Sequence, residues 1–241
     1  MPDRPTRDAP RVVIACRSIR PELEALKPDD QTVEIRYLDQ DIHRTPDRMP
    51  GIIQAEIDRV KGYASQIVLG YGLCSNGVVG LIAPAQGLVI PRVHDCIALL
   101  LGSRAAYETA FRERPGTYYL TPAWIQAKKD PIGYMENEYV PKLGREIAEW
   151  GLKEELKYYT HIVLIDTEVA DVVPLRERAL KNARFLEKEF DEVTGTKEYF
   201  SKILFGPYND EDFVILQSGE KVAQKAFLQL KRQESRENDS Q

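Results

Sequence analysis

The chain is short of the residues on which site chemistry most often depends. Its 241 residues include three cysteines, three histidines, three methionines and two tryptophans. A small and odd number of cysteines excludes a disulfide framework and points to free thiols or metal ligands. No Cys-x-x-Cys pair is present, so the compact zinc-ribbon and thioredoxin signatures are absent. Positive charge is not in excess: 33 Lys and Arg stand against 38 Asp and Glu, for a net charge of -5 and a pI near 5.4. Such a chain has no basic field to steer nucleic acid or an anionic membrane. No stretch approaches the roughly 18 apolar residues of a membrane-spanning helix. The polar segment Met1 to Pro10 lacks the apolar core of a secretory signal. Repeats and low-complexity tracts are missing as well. The expectation is a cytoplasmic protein that works on a small-molecule substrate or a partner protein, with no nucleic-acid or membrane partner.

What the chain does have is apolar material, 43% of it hydrophobic, enough for one sizeable core. Short apolar runs alternate with amphipathic ones from about residue 11 to 230, with no long linker between them. Residues 1–10 read as a disordered arm and 231–241, polar throughout, as a disordered tail. Val12 to Ala15, Gln66 to Gly70, Gly87 to Pro91 and His161 to Asp166 have the continuous apolar character of strands buried on both faces. Thr32 to Asp39 alternates apolar and polar residues, the pattern of a wetter edge strand, and Thr117 to Leu120 is a further strand. Apolar residues at 52, 53, 57 and 60 mark an amphipathic helix. Glu138 to Tyr158, with Leu143, Ile147, Trp150 and Leu156 near one face, predicts one long helix, and Pro174 to Phe190 another. Tyr199 to Phe205 and Asp212 to Gln217 contain strand-like pieces. This alternation predicts a single-domain α/β fold over 11–230, with a mainly parallel sheet and helices on both faces.

Each cysteine ends a strand-like run. Cys16 closes Arg11-Val-Val-Ile-Ala-Cys16, Cys74 follows Gln66 to Gly70, and His94-Asp-Cys96 follows Pro91. If these strands are parallel neighbours, Cys16, Cys74, His94 and Cys96 emerge together at a carboxyl edge, where open α/β sheets place ligands. Three thiols and an imidazole suit a soft tetrahedral metal, and Cys₃His is one of zinc's ligand sets. The same set could hold an iron–sulfur cluster. The plain alternatives are thiols packed as small hydrophobes, or thiols active in redox chemistry. The turn Gly70-Tyr71-Gly72 with Asn76 and Gly77 is the expected cofactor-binding element, although it fits neither Gly-x-Gly-x-x-Gly nor the Walker pattern. Cys74 is expected at the amino end of a helix over Val78 to Ile82, where a thiolate is favoured. His43 reads as a solvated loop histidine, Tyr118, Tyr119 and Trp124 as core aromatics, and Asp166 and Asp171 as helix caps.

Six blocks carry a resemblance: Ile14-Ala-Cys16, Leu69-Gly-Tyr-Gly-Leu-Cys74, Pro91-Arg-Val-His-Asp-Cys96, Leu101-Gly-Ser103, Pro115 to Pro122 and Leu164-Ile-Asp-Thr167. Together they resemble the uncharacterised prokaryotic family DUF 1638, over roughly Val12 to Gln217. The family's members look like companions of corrinoid-dependent methyltransferase systems. That implies a place in one-carbon metabolism, either as a metal-dependent methyltransferase or as a non-catalytic accessory protein of such a system. His94-Asp-Cys96 is also similar to the His-x-Cys pair of zinc methyltransferases that activate a thiol. Corrinoid is implied only through a partner, because the Asp-x-His-x-x-Gly loop of corrinoid carriers is absent. Ser75 stands where the family commonly has glycine.

Overall fold

The computed structural model describes residues 9–228, so the expected disorder of residues 1–8 and 231–241 lies outside the described residues. In chain order the elements are β1 (Arg11–Cys16), α1 (Arg20–Leu26), β2 (Val33–Leu38), α2 (Met49–Val60), β3 (Gln66–Gly70), β4 (Leu88–Pro91), α3 (Cys96–Leu100) and α4 (Arg104–Glu113). There follow β5 (Thr117–Leu120), α5 (Pro122–Gln126), α6 (Pro131–Tyr134), α7 (Val140–Leu143), α8 (Arg145–Glu155), β6 (His161–Asp166), α9 (Val172–Leu186) and β7 (Glu189–Thr194). The last are α10 (Glu198–Phe205), β8 (Phe213–Leu216) and α11 (Lys225–Leu228). No helix among the described residues is long and apolar enough to cross a membrane.

The strands form two sheets, one of five strands in the order β2-β1-β3-β4-β8 and one of three in the order β5-β6-β7. In the larger sheet β2, β1, β3 and β4 are parallel and β8 is antiparallel to β4. Val13 of β1 lies between Ile35 of β2 and Val68 of β3, which sets the register at the centre. Successive strand residues point to opposite faces, and here both faces are covered. Val12, Ile14, Ile67 and Leu69 pack with Ile53, Ile57 and Val60 of α2. Val13, Ala15, Val68 and Val89 pack with Leu23 of α1 and with Phe200 and Ile203 of α10. The smaller sheet buries Leu120, Ile162 and Leu164 against α8 and α9. Ile165 turns the other way, into the core under α1 and α10, together with partly buried Tyr119 and Val193. Two sheets therefore share one apolar interior, and the fold is a single-domain α/β fold with a mostly parallel strand arrangement.

Several elements differ from their sequence expectation, each for a local reason. The helix expected over Glu138 to Tyr158 is broken by Gly144 at φ 78°, leaving a π-helical turn, α7 and α8. That break also changes which face is covered. Ala148 and Leu152 are buried, whereas Leu143, Ile147 and Trp150 are exposed. Gly102 at φ 89° and Ser103 divide α3 from α4, with Ser103 Oγ accepting from Ala106 N at 3.0 Å. The helix after β6 stops at Leu186, where Glu187 takes φ 58°, so Phe190 belongs to β7 instead. Tyr199 to Phe205 is helix α10, because Tyr199, Phe200, Ile203 and Leu204 recur at helical spacing and are all buried.

Candidate functional site

The parallel order places the carboxyl ends of β2, β1, β3 and β4 side by side, and the segments leaving them line one cavity of about 570 Å³. Cys16 comes from β1, Cys74 from the turn after β3, and His94, Asp95 and Cys96 from the segment after β4. His43 and Arg44, from the short helical turn after β2, complete that side. The opposite wall belongs to the smaller sheet's half of the molecule: Tyr118, Trp124, Lys129 and Tyr134. The volume is that of a small-molecule site.

Two loops lock together to make this edge. Leu73 N donates to Val93 O at 2.9 Å and Cys74 N to His94 O at 2.8 Å. Gly72 is required because a Cβ there would come within 2.8 Å of Val93 O and 2.9 Å of Asp95 N. The expected helix over Val78 to Ile82 does not form. The chain instead turns through Cys74, Ser75 and Asn76, all left-handed with φ of 47°, 55° and 68°, and Gly80 N donates to Val222 O. Cys74 therefore has no helix dipole to favour its thiolate. Three consecutive non-glycine residues in this region store backbone strain of a kind that clusters at functional sites. Ser75 and Asn76 are exposed at the mouth, while Cys74 is buried.

All three cysteines are free. Burial raises the pKa of each, and the neighbouring sulfurs add to it for two of them: Cys16 acts on Cys74, and Cys74 and Cys16 on Cys96. Opposing this, Ser18 N donates to Cys16 Sγ at 3.4 Å. The buried Ser18 hydroxyl has no hydrogen bond of normal geometry, yet it lies close enough to Cys16 and Cys96 to favour their thiolates. Asp95 Oδ1 accepts from Ile97 N at 2.9 Å as the cap of α3, and burial raises its pKa in turn. Burial and the mutual influence of the sulfurs thus both favour the neutral thiols.

Of the expected cofactor-binding residues, Asn76 lines the cavity. Gly70 packs against Ala15, where an added Cβ would lie 2.7 Å from Ala15 Cβ, and Gly77 packs against Met49. Tyr71 is buried, with a hydroxyl that has no hydrogen-bond partner among the described residues. His94 lines the cavity and also an adjoining groove beside Tyr107, Phe111 and Arg112. His43, expected as a solvated loop residue, is exposed and also lines the cavity. It sits in the cavity with Nδ1 2.9 Å from Gln40 O and its ring stacked on Tyr71 at 6.1 Å. Nearby protein lowers its pKa below the ordinary histidine value, although the residue is exposed to solvent. The strand before it, Val33–Leu38, alternates apolar and polar residues and carries no such signal, so only the strand order beside β1 brings His43 here. Tyr118 and Trp124 face the cavity rather than the core alone, whereas Asp171 is the expected cap, accepting from Val173 N at 3.0 Å.

The opposite wall is tied to the segment after β2. Asp41 accepts from Tyr134 Oη at 3.0 Å and pairs with Lys129 Nζ at 2.5 Å, while Lys129 and Arg44 stand 5.0 and 5.3 Å from the Tyr134 ring centre. Burial and then Asp41 push Tyr134 up to about 12. The donor chemistry of the cavity fits a soft cation. Among the described residues, however, no three His, Cys, Asp or Glu side chains stand grouped as a metal ion requires.

Fold and cavity together define an α/β protein with a thiol-bearing ligand cavity at the carboxyl edge of a parallel sheet. The chain belongs to the family described as Protein of unknown function (DUF1638), whose model matches residues 37–204. The match takes in His43, Cys74, His94 and Cys96, while Cys16 precedes it. No curated protein and no solved structure matches the chain.

Proposed function

We propose that this protein is a metal–thiolate site protein in which Cys16, Cys74 and Cys96, with one imidazole, take up zinc. The observation that supports this reading is the convergence of three thiols, carried by the ends of three neighbouring parallel strands, on one small-molecule-sized cavity. When bound, zinc keeps coordinated sulfur deprotonated and nucleophilic at neutral pH. The chain's own residues do the rest. Burial favours the neutral thiols, so metal uptake would release protons. The N–H of Ser18 steadies sulfur charge on Cys16. Tyr118, Trp124 and Tyr134 form the wall that would shield a substrate from water, and Gln40, Arg44 and Lys129 supply its polar points. Methyl or alkyl transfer to or from a thiol, with corrinoid brought by a partner protein, is the chemistry this arrangement would serve.

The test is metal content by mass spectrometry, with a visible spectrum, on anaerobically purified protein beside Cys74→Ser and Cys96→Ser variants. The expected result is about one zinc per chain, lost in both variants. Iron with a broad brown absorbance would replace zinc by a cluster. A wild type without metal, with both variants folded, would overturn the proposal.

A further inference from the structure

We propose that the molecule carries a second binding site, beside the thiol cavity, for an alkylated ammonium ion held by Asp95 between aromatic walls. An adjoining cavity of about 260 Å³ is lined by Tyr107 of α4, Tyr118 and Tyr119 of β5, Trp124 of α5, Tyr159 and Asp95. Asp95, Tyr118 and Trp124 line the thiol cavity as well, so the two spaces meet across them. β5 is an edge strand of the smaller sheet, which lets side chains from both of its faces border the same space. The rings stand as the sides of a box rather than as one stack: Tyr118 meets Tyr159 at 5.3 Å and 78°, and Trp124 at 6.3 Å and 67°. Tyr107 is steadied by stacking on Phe111 at 6.2 Å. This site does not depend on the metal–thiolate reading.

The chemistry of the ligand follows from what lines the space. Asp95 is half-buried, its Oδ1 accepts from Ile97 N at 2.9 Å, and no lysine or arginine is paired with it among the described residues. The arginine on this lining, Arg114, is bound to Asp191 instead. The phenols of Tyr107 and Tyr119 stand close enough to Asp95 to feel its charge. A carboxylate without a cation, inside aromatic walls, is complemented by a positive ligand, because ring faces attract a cation and the carboxylate adds to that attraction. An anionic ligand would meet Asp95 with like charge. The walls offer few acceptors, so the N–H groups of a bare ammonium ion would give up water without replacement. Alkyl groups on the nitrogen remove those donors and present an apolar skin to the rings.

The experiment titrates the full chain calorimetrically, at constant ionic strength, with choline as the probe and with 3,3-dimethyl-1-butanol, its uncharged carbon isostere. Choline is expected to bind about tenfold or more tightly than the alcohol. Asp95→Asn keeps an oxygen that can cap α3 and is expected to weaken choline about tenfold without changing the melting curve. Tyr107→Leu should weaken it several-fold, and Tyr158→Leu, at an exposed position outside the cavity, should leave it unchanged. Nuclear Overhauser contacts between the choline methyl protons and tyrosine and tryptophan ring protons of the wild type test the place without any variant, and they are expected. No binding of choline, equal binding of the alcohol, absence of those ring contacts, or a folded Asp95→Asn protein with wild-type affinity would overturn the proposal.

Discussion

The two parallel sheets put their strand ends to opposite uses. In the smaller sheet, side chains at or just past the carboxyl ends are spent on nearby backbone: Thr121 Oγ1 accepts from Trp124 N at 3.2 Å, and Asp166 Oδ1 from Glu168 N at 2.8 Å. In the larger sheet the corresponding positions carry thiols and an imidazole that face a cavity. Backbone strain follows the same division. Left-handed residues beyond the smaller sheet are isolated, at Lys128, Glu168 and Glu187, while the larger sheet's edge has three in succession at Cys74, Ser75 and Asn76. The smaller sheet's ends thus carry only isolated turns, and the larger sheet's edge sets a run of strained backbone beside the thiols. That is how a scaffold and a site are expected to differ.

The contrast can be broken most forcefully on the scaffold side. Asp130 is fully buried and accepts from Arg178 Nε at 2.9 Å, Asn182 Nδ2 at 2.7 Å and Gly133 N at 3.3 Å, tying α6 to α9. Asp130→Ala would remove the buried carboxylate that all three share, leaving Arg178 its 3.8 Å pair with Glu136 and Asn182 Nδ2 its bond to Arg178 O, at an expected cost of about 3 kcal/mol. Denaturant unfolding would read it, and a loss below 1 kcal/mol or so would mean the scaffold half is more plastic than drawn here.

The joint between the halves offers a smaller effect. Glu22 of α1 is fully buried and accepts from Thr167 Oγ1 at 2.7 Å, with its second oxygen unpartnered. Burial raises its pKa. Below the ordinary carboxylate range the group is protonated folded or unfolded. Above that range the unfolded chain ionises first, so stability falls as pH rises, by up to about 1.4 kcal/mol per pH unit, until the folded pKa is passed. Glu22→Gln should remove that slope and be the more stable form at neutral pH. Parallel stability–pH curves for the two proteins would refute the assignment.

The smallest effect concerns strain at the site. Ser75→Gly puts a residue without a Cβ at a position with φ 55°. It should raise stability by about 0.5 kcal/mol, relief of the left-handed backbone being offset in part by a more flexible unfolded chain. A lower denaturation midpoint would show that the turn is not strained as it stands.

Much of this architecture was legible from residues 11 to 217. Val12 to Ala15, Gln66 to Gly70 and His161 to Asp166 are apolar enough to require cover on both faces, and they received it. The placing of Cys16, Cys74 and Cys96 at one edge followed from their positions after such runs. Other features were hidden because their causes are nonlocal. Val78 to Ile82 has helix-like periodicity, but Gly80 N finds Val222 O, more than a hundred residues away in the chain. Trp150 resembles a core residue in sequence and is exposed, because Gly144 resets the helix phase.

Periodicity and composition alone determined the α/β class, the buried strands and the residues that end them, because each depends on the side chains of a few successive positions. Only the tertiary structure decided that the parallel strands divide into two sheets, that β2 lies beside β1, and that His43 consequently enters the thiol cavity. Strand order and the shared interior are set by contacts between distant segments, and no local pattern records which loops will meet.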